Sequence, residues 1–139
     1  MGFTTKFIRN RHFVLTMVTD GADDESLSDH VRALTIETEG MHPFVELADA
    51  SGLSDISKLT EAGIALAGTI ERERLPFKRD KLAILVSSDE VFNLARYYSA
   101  TSNYFRSDTQ IFRDFKEAIE WLGVADLEDV IDRMRKNEI

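Results

Sequence analysis

Apolar residues recur along this chain in short bursts whose spacing switches between the period of a strand and that of a helix. Phe3 to Ile8 alternates weakly, and Arg9-Asn10-Arg11 makes a turn. His12 to Thr19 is apolar on both sides, with Phe13, Leu15 and Met17 on one and Val14, Thr16 and Val18 on the other. This predicts a hairpin whose second strand is buried on both faces. After Asp20-Gly21, residues Leu27, Val31, Leu34 and Thr38 stand at helical spacing. Ser26 with Asp29 reads as a capping box for that helix, and Gly40 with Pro43 as its stop. Phe44 to Ala48 is the next strand, with Glu46 as its polar exception. A helix from Lys58 to Glu73 follows, its apolar stripe read as Leu59, Ala62, Leu66 and Ile70, and Pro76 closes it. Lys81 to Val86 is a continuous apolar run, as a central parallel strand requires. Ser87 and Glu90 form a capping box for a helix carrying Val91, Leu94, Ala95 and Tyr98. Asp108 to Phe112 is the last strand. Asp114 and Glu117 then cap a helix with Phe115, Ala118, Ile119 and Leu122 inward, which Gly123 ends. A final helix uses Leu127, Val130, Ile131 and Met134.

Strands that alternate with helices predict an α/β protein with a single mixed, mostly parallel sheet of about five strands, opened by the hairpin and flanked by helices. Residues 1–139 read as one domain, with 124–139 a C-terminal helical extension that either passes beyond the core or docks on a partner subunit.

Composition narrows the use of such a fold. The chain has 139 residues, 43 % of them apolar and 30 % charged, which suits one core. No apolar run approaches the ~20 residues of a membrane span, and MGFTTKFIRNRHF lacks a secretory pattern, so a cytoplasmic protein is expected. The absence of cysteine excludes disulfides, thiol catalysis and thiolate metal sites. A net charge of -8 disfavours nucleic acid as a partner. The basic residues between Glu71 and Lys81 are interrupted by acids and read as a solvated helix end and loop.

The hairpin start, RDKLAILVSSDEVFNLARYYSA and TQIFRDFKEAIEWLG together resemble the SpoIIAA-like group of the STAS superfamily. The closing run Glu117-Ala118-Ile119-Glu120-Trp121-Leu122 carries most of that resemblance, which spans residues 3 to 123. It implies the fold of anti-anti-sigma regulators, which is similar to CRAL-TRIO lipid-transfer domains, and supplies no catalytic residue. Anti-anti-sigma proteins carry their switch serine in an Asp-Ser-Ser-Gly-Leu segment. Here Asp49-Ala50-Ser51 fits the Asp-Leu-Ser that ends the preceding strand in those proteins, but Lys58 takes the place of the switch serine, with Ser57 and Thr60 close by.

Read for chemistry, the sequence offers a rim and an apolar group. Asp20, Asp49, Ser87, Ser88 and Asp89 follow predicted strands, where α/β proteins commonly place ligands. Ser57 and Lys58 join them at a predicted helix N-terminus, with Ser57 either a cap or a phosphate acceptor. Asp after a strand is also an ordinary turn residue. Gly63 and Ala67 give the second helix a shallow side, and Tyr97, Tyr104 and Phe105 are aromatics left over from the core; these five are candidates for an apolar pocket or an interface. The three histidines have no metal-ligand spacing, and no phosphate-binding or nucleophile motif is present, so neither cofactor nor metal is expected. The expected function is non-enzymatic binding or regulation, through a protein partner or self-association, with a small apolar or lipid-like ligand as the alternative. An enzyme using Asp49 with Asp20 or Asp89 is the third.

Overall fold

A computed structural model of the chain describes residues 2–74, 81–102 and 108–139. The hairpin forms as predicted: β1 (Phe3–Ile8) and β2 (Phe13–Val18) pair antiparallel through a 3-10 turn at Arg9–Arg11. Then come α1 (Asp24–Glu37), β3 (Val45–Asp49), α2 (Glu61–Arg74), β4 (Lys81–Leu85), α3 (Asp89–Ser102) and β5 (Asp108–Phe112). The chain closes with α4 (Phe115–Trp121), a 3-10 turn and α5 (Glu128–Arg135).

The five strands lie in the order β1-β2-β3-β4-β5, with β2 to β5 parallel. Each strand is therefore laid beside its predecessor, always advancing in one direction. Parallel crossovers are almost always right-handed, so three successive crossovers in one direction put their helices on one face. The packing agrees. One face of the sheet, with Leu82 and Ile84, packs under α1, α2 and α3. The other, with Phe13, Leu15, Leu47, Ala83 and Leu85, packs on Ala118, Ile119, Leu122, Ile131 and Met134 of the closing helices. The apolar two-sidedness read from β2 and β4 is this sandwich.

Residues 124–139 belong to it. Ile131 is fully buried against the sheet and Met134 nearly so, so this segment docks on the chain's own core rather than passing beyond it. Lys6 of β1 reaches across to donate to the Met134 carbonyl at 2.9 Å and to the Ile139 carbonyl at 3.0 Å. Val130, expected inside, is 38 % exposed.

Four local expectations shift. The α1 capping box is Asp23 with Ser26, not Ser26 with Asp29. Asp23 is extended and accepts from the Ser26 N–H at 2.7 Å, while Ser26 Oγ accepts from the Asp23 N–H at 2.9 Å. α3 is capped by Ser88, whose Oγ accepts from the Val91 N–H at 3.2 Å, and not by Ser87. In α2 the buried apolar side chains are Ile64, Ala67 and Ile70, whereas Leu66 is 54 % exposed. The stripe is rotated because α2 must meet α1 as well as the sheet, and it does so through its small residues. Asp114 stands at the start of α4 but makes no side-chain capping bond.

Candidate functional site

The predicted rim residues are taken up in a collar of separate hydrogen bonds that fix loops, rather than gathered into one group. Asp20, after β2, accepts from the Ser54 N–H at 2.8 Å, from Ser54 Oγ at 2.7 Å and from the Asp55 N–H at 2.9 Å. These donors, the Asp55 N–H foremost, hold its carboxyl below the usual range. Ser87 donates to the Ser51 carbonyl at 2.8 Å, joining the ends of β4 and β3. Asp89 is exposed and pairs with Arg113 at 2.8 Å.

Asp49 was expected to face a ligand. It is 2 % exposed and lies on the side of the sheet covered by α5. One oxygen accepts from Arg135 Nε at 2.7 Å, and the other from the Ser51 N–H and Oγ. Arg135 also lies over the Phe115 ring, 4.2 Å from its centroid. Asp49 therefore anchors α5, and removing one member of such a buried pair strands the other. Asp20, Asp49 and Asp89 each serve a different partner, so they do not form the shared carboxylate site expected of an enzyme. The monotonic strand order explains why. An open α/β sheet binds ligands where the strand order reverses, and this sheet has no reversal.

Ser57 and Lys58 do not open a helix. α2 starts three residues later, and its cap is Thr60, whose Oγ1 accepts from the Gly63 N–H at 3.0 Å. Ser57 instead donates its N–H and Oγ to Asp55, at 3.0 and 2.6 Å, and the hydroxyl bond leads in keeping the Asp55 carboxyl below the usual range. A phosphate on Ser57 would meet Asp55 in place of free helix N–H groups, and like charges repel. Lys58 is exposed and contributes its backbone carbonyl, which accepts from the Asp24 N–H at 3.1 Å.

Gly63 and Ala67 are buried in the seam between α1 and α2 and are not among the residues lining the pocket described below. A Cβ on Gly63 would overlap the Asp24 carboxylate. That carboxylate accepts from the Thr60 N–H at 2.9 Å and Thr60 Oγ1 at 2.6 Å, so one aspartate of α1 steadies the start of α2. Tyr97 is 37 % exposed on α3, away from the pocket described next, while Tyr104 and Phe105 lie outside the described residues.

A pocket does lie beside α2, built from other residues. It occupies about 110 Å³ between the sheet and the layer of α1, α2 and α3. Its floor includes Ala48, Leu82 and Ile84, and Leu59, Ile64 and Tyr98 are among its walls. Tyr98, assigned to the core from sequence, has one side on this space. The polar side chains on the floor are Thr16 and Glu46, both at most 3 % exposed. Thr16 Oγ1 donates to Glu46 Oε2 at 2.7 Å, and Glu46 has other interactions besides. The geometry follows from register: β2 and β3 are parallel with Val14 beside Glu46 and Thr16 beside Ala48, so the hydroxyl and the carboxylate are diagonal neighbours on one face. His30 of α1 also lines the pocket and stacks on Phe3, with ring centroids 4.9 Å apart. Sequence reasoning missed Thr16, Glu46 and His30 as site residues. The signal for one of them was present, a lone carboxylate inside an otherwise apolar strand.

Among the described residues, no helix is long and apolar enough to cross a membrane. No family model and no curated protein matches the sequence. Among solved structures, the chain is similar to an uncharacterized protein from the DUF3478 family with a SpoIIAA-like fold, from Shewanella loihica PV-4. The two share 16 % of residues over 86 % of this chain and 91 % of that one, with a TM-score of 0.48.

Proposed function

We propose that this chain is a non-catalytic binding protein whose ligand is a small apolar molecule held between the sheet and α1, α2 and α3. The pocket carries this reading: it is apolar but for a few polar groups, the usual make-up of a small-molecule site. Its size sets the ligand class. A dry apolar cavity of roughly 150 Å³ accepts benzene, so about 110 Å³ suits one small ring or a short alkyl chain. A whole lipid, as in the CRAL-TRIO comparison, is too large. A binding role is further supported by the separate engagement of Asp20, Asp49 and Asp89, which leaves the expected acid–base group unassembled.

The test is a titration with hexanol followed by NMR. Methyl shifts are expected at Leu82, Ile84 and Val91, which line the pocket. Ala48→Leu fills the floor, so that variant should be at least as stable as the parent and should lose the response. A wild-type spectrum unmoved at saturating hexanol would sink the proposal.

A protein partner or a second copy is the other reading. The exposed Ile36 on α1 and Leu66 on α2, 63 % and 54 % accessible, favour it. Light scattering decides: a chain monomeric at all concentrations counts against self-association.

A further inference from the structure

The first strand of the sheet leaves an edge whose chemistry specifies what can join it. β1 stands at the end of the strand order and pairs on one side, with β2, in an unbroken register from Phe3 beside Val18 to Ile8 beside Phe13. Among the described residues, no backbone group bonds to its other side. Natural sheets blunt such an edge with a proline, a bulge or a lysine. β1 has no proline and no bulge, and Lys6 is its one charge. That ammonium is turned to the closing segment of its own chain. It donates to the Met134 carbonyl at 2.9 Å, to Asn137 Oδ1 at 2.9 Å and to the Ile139 carbonyl at 3.0 Å. The edge is therefore left open to a further strand.

Backbone geometry fixes which residues face outward. In an antiparallel pair, residues that exchange both backbone bonds alternate with residues whose groups point away. The Thr19 N–H donates to the Gly2 carbonyl at 2.9 Å, which makes Gly2 a bonded position. Thr4, Lys6 and Ile8 follow it in turning toward β2, so Phe3, Thr5 and Phe7 turn their N–H and C=O groups to the open side. A recess between β1 and α1, lined by Phe3, Thr5 and Ala33 among others, borders this edge and leaves room beside it on the α1 face.

We infer that a second copy of this chain adds its own β1 here, antiparallel, about a two-fold axis at Thr5. Only outward groups can bond across the axis, so Phe3, Thr5 and Phe7 must meet one another. A centre at Thr5 sets Phe3 opposite Phe7, Thr5 opposite Thr5 and Thr4 opposite Lys6. Aromatic pairs and threonine pairs are among those that stabilise sheets. A centre at Lys6 faces ammonium with ammonium, and a centre at Thr4 leaves Phe7 with no partner in β1. The strand is thus complementary to itself in one register. This goes beyond the ligand reading above and stands independently of it.

The experiment is sedimentation equilibrium at low ionic strength over a range of concentrations. One strand pair is a small interface, so a monomer–dimer equilibrium that shifts with concentration is expected. Thr5→Lys and Thr5→Glu each set like charges against one another at the axis, and each should weaken dimerisation about tenfold. An equal mixture of the two should restore it to within about threefold of the parent, because the facing charges are then of opposite sign. Circular dichroism shows whether each variant folds. Should one fail, Thr5→Pro, which removes only the outward N–H, replaces it and should abolish the dimer. A parent monomeric at every concentration overturns the inference and leaves the ligand reading standing. A dimer that the variants leave intact overturns it by placing the contact elsewhere, and growth past the dimer does so by marking a head-to-tail contact. Charged variants that stay monomeric when mixed overturn the register.

Discussion

Gly63 shows how one residue's identity can depend on a neighbour remote in sequence. A glycine inside a helix costs about 1 kcal/mol relative to alanine. Here the cost makes room for the Asp24 carboxylate, which holds Thr60 through two hydrogen bonds. Bonds to a charged group contribute about 1.5–3 kcal/mol each, so displacing Asp24 outweighs the gain in helix propensity. Gly63→Ala should therefore destabilise the chain by about 1–2 kcal/mol. In an Asp24→Ala background the same change should stabilise it by about 0.5–1 kcal/mol. Urea unfolding of the four chains measures this, and the same sign in both backgrounds would contradict it. The sequence shows two glycines in a helix, but not that α1 crosses at one of them. Glu46 is the converse case. Its oddness is plain in the sequence, and only the register beside Thr16 and the helix layer above turn it into a pocket floor.

Most of the elements were legible in the pattern, because each change of hydrophobic period marks one. The start of α2 was not. Ser57, Thr60 and the acids before them compete for the same cap, and the contest is settled by Asp24 from another helix. The collar from Asp20 to Ser57 was visible only as a set of turn-forming residues, since its donors lie 34 and 35 positions from Asp20 in the chain. It predicts an acid response with a definite sign. Asp20, Asp23 and Asp55 all have folded-state values below the ordinary carboxylate range, held there by donors from Asp55, Ser26 and Ser57 respectively. Their contribution is complete above the unfolded value of about 4 and is lost as pH falls through the lower folded values. Melting temperature should therefore drop on acidification below about pH 4. Asp20→Asn should show a shallower drop there, starting from a lower plateau at neutral pH. A variant with the parent's slope would remove Asp20 from the account.

For the whole molecule, strand order sets where a ligand can and cannot sit. A sheet that never reverses direction has no crevice at its carboxyl edge, which is why the rim read from Asp20, Asp49 and Asp89 became a collar. It also gathers α1, α2 and α3 into one layer, and the pocket opens beneath that layer. The general rule for α/β proteins was available from the sequence; the strand order on which the rule depends was not. That order has a kinetic consequence as well. Every strand pairing joins sequence neighbours, so the sheet can assemble outward from the hairpin one crossover at a time. Ile131 and Met134 must instead return over β2 from the far end of the chain, so they dock late. Ile131→Val and Met134→Ala should speed unfolding and leave the refolding rate nearly untouched, while Ile84→Val should slow refolding. Stopped-flow chevrons separate the two cases. If they come out as expected, the last helix is a clasp: it adds little to how fast the molecule forms and much to how long it lasts.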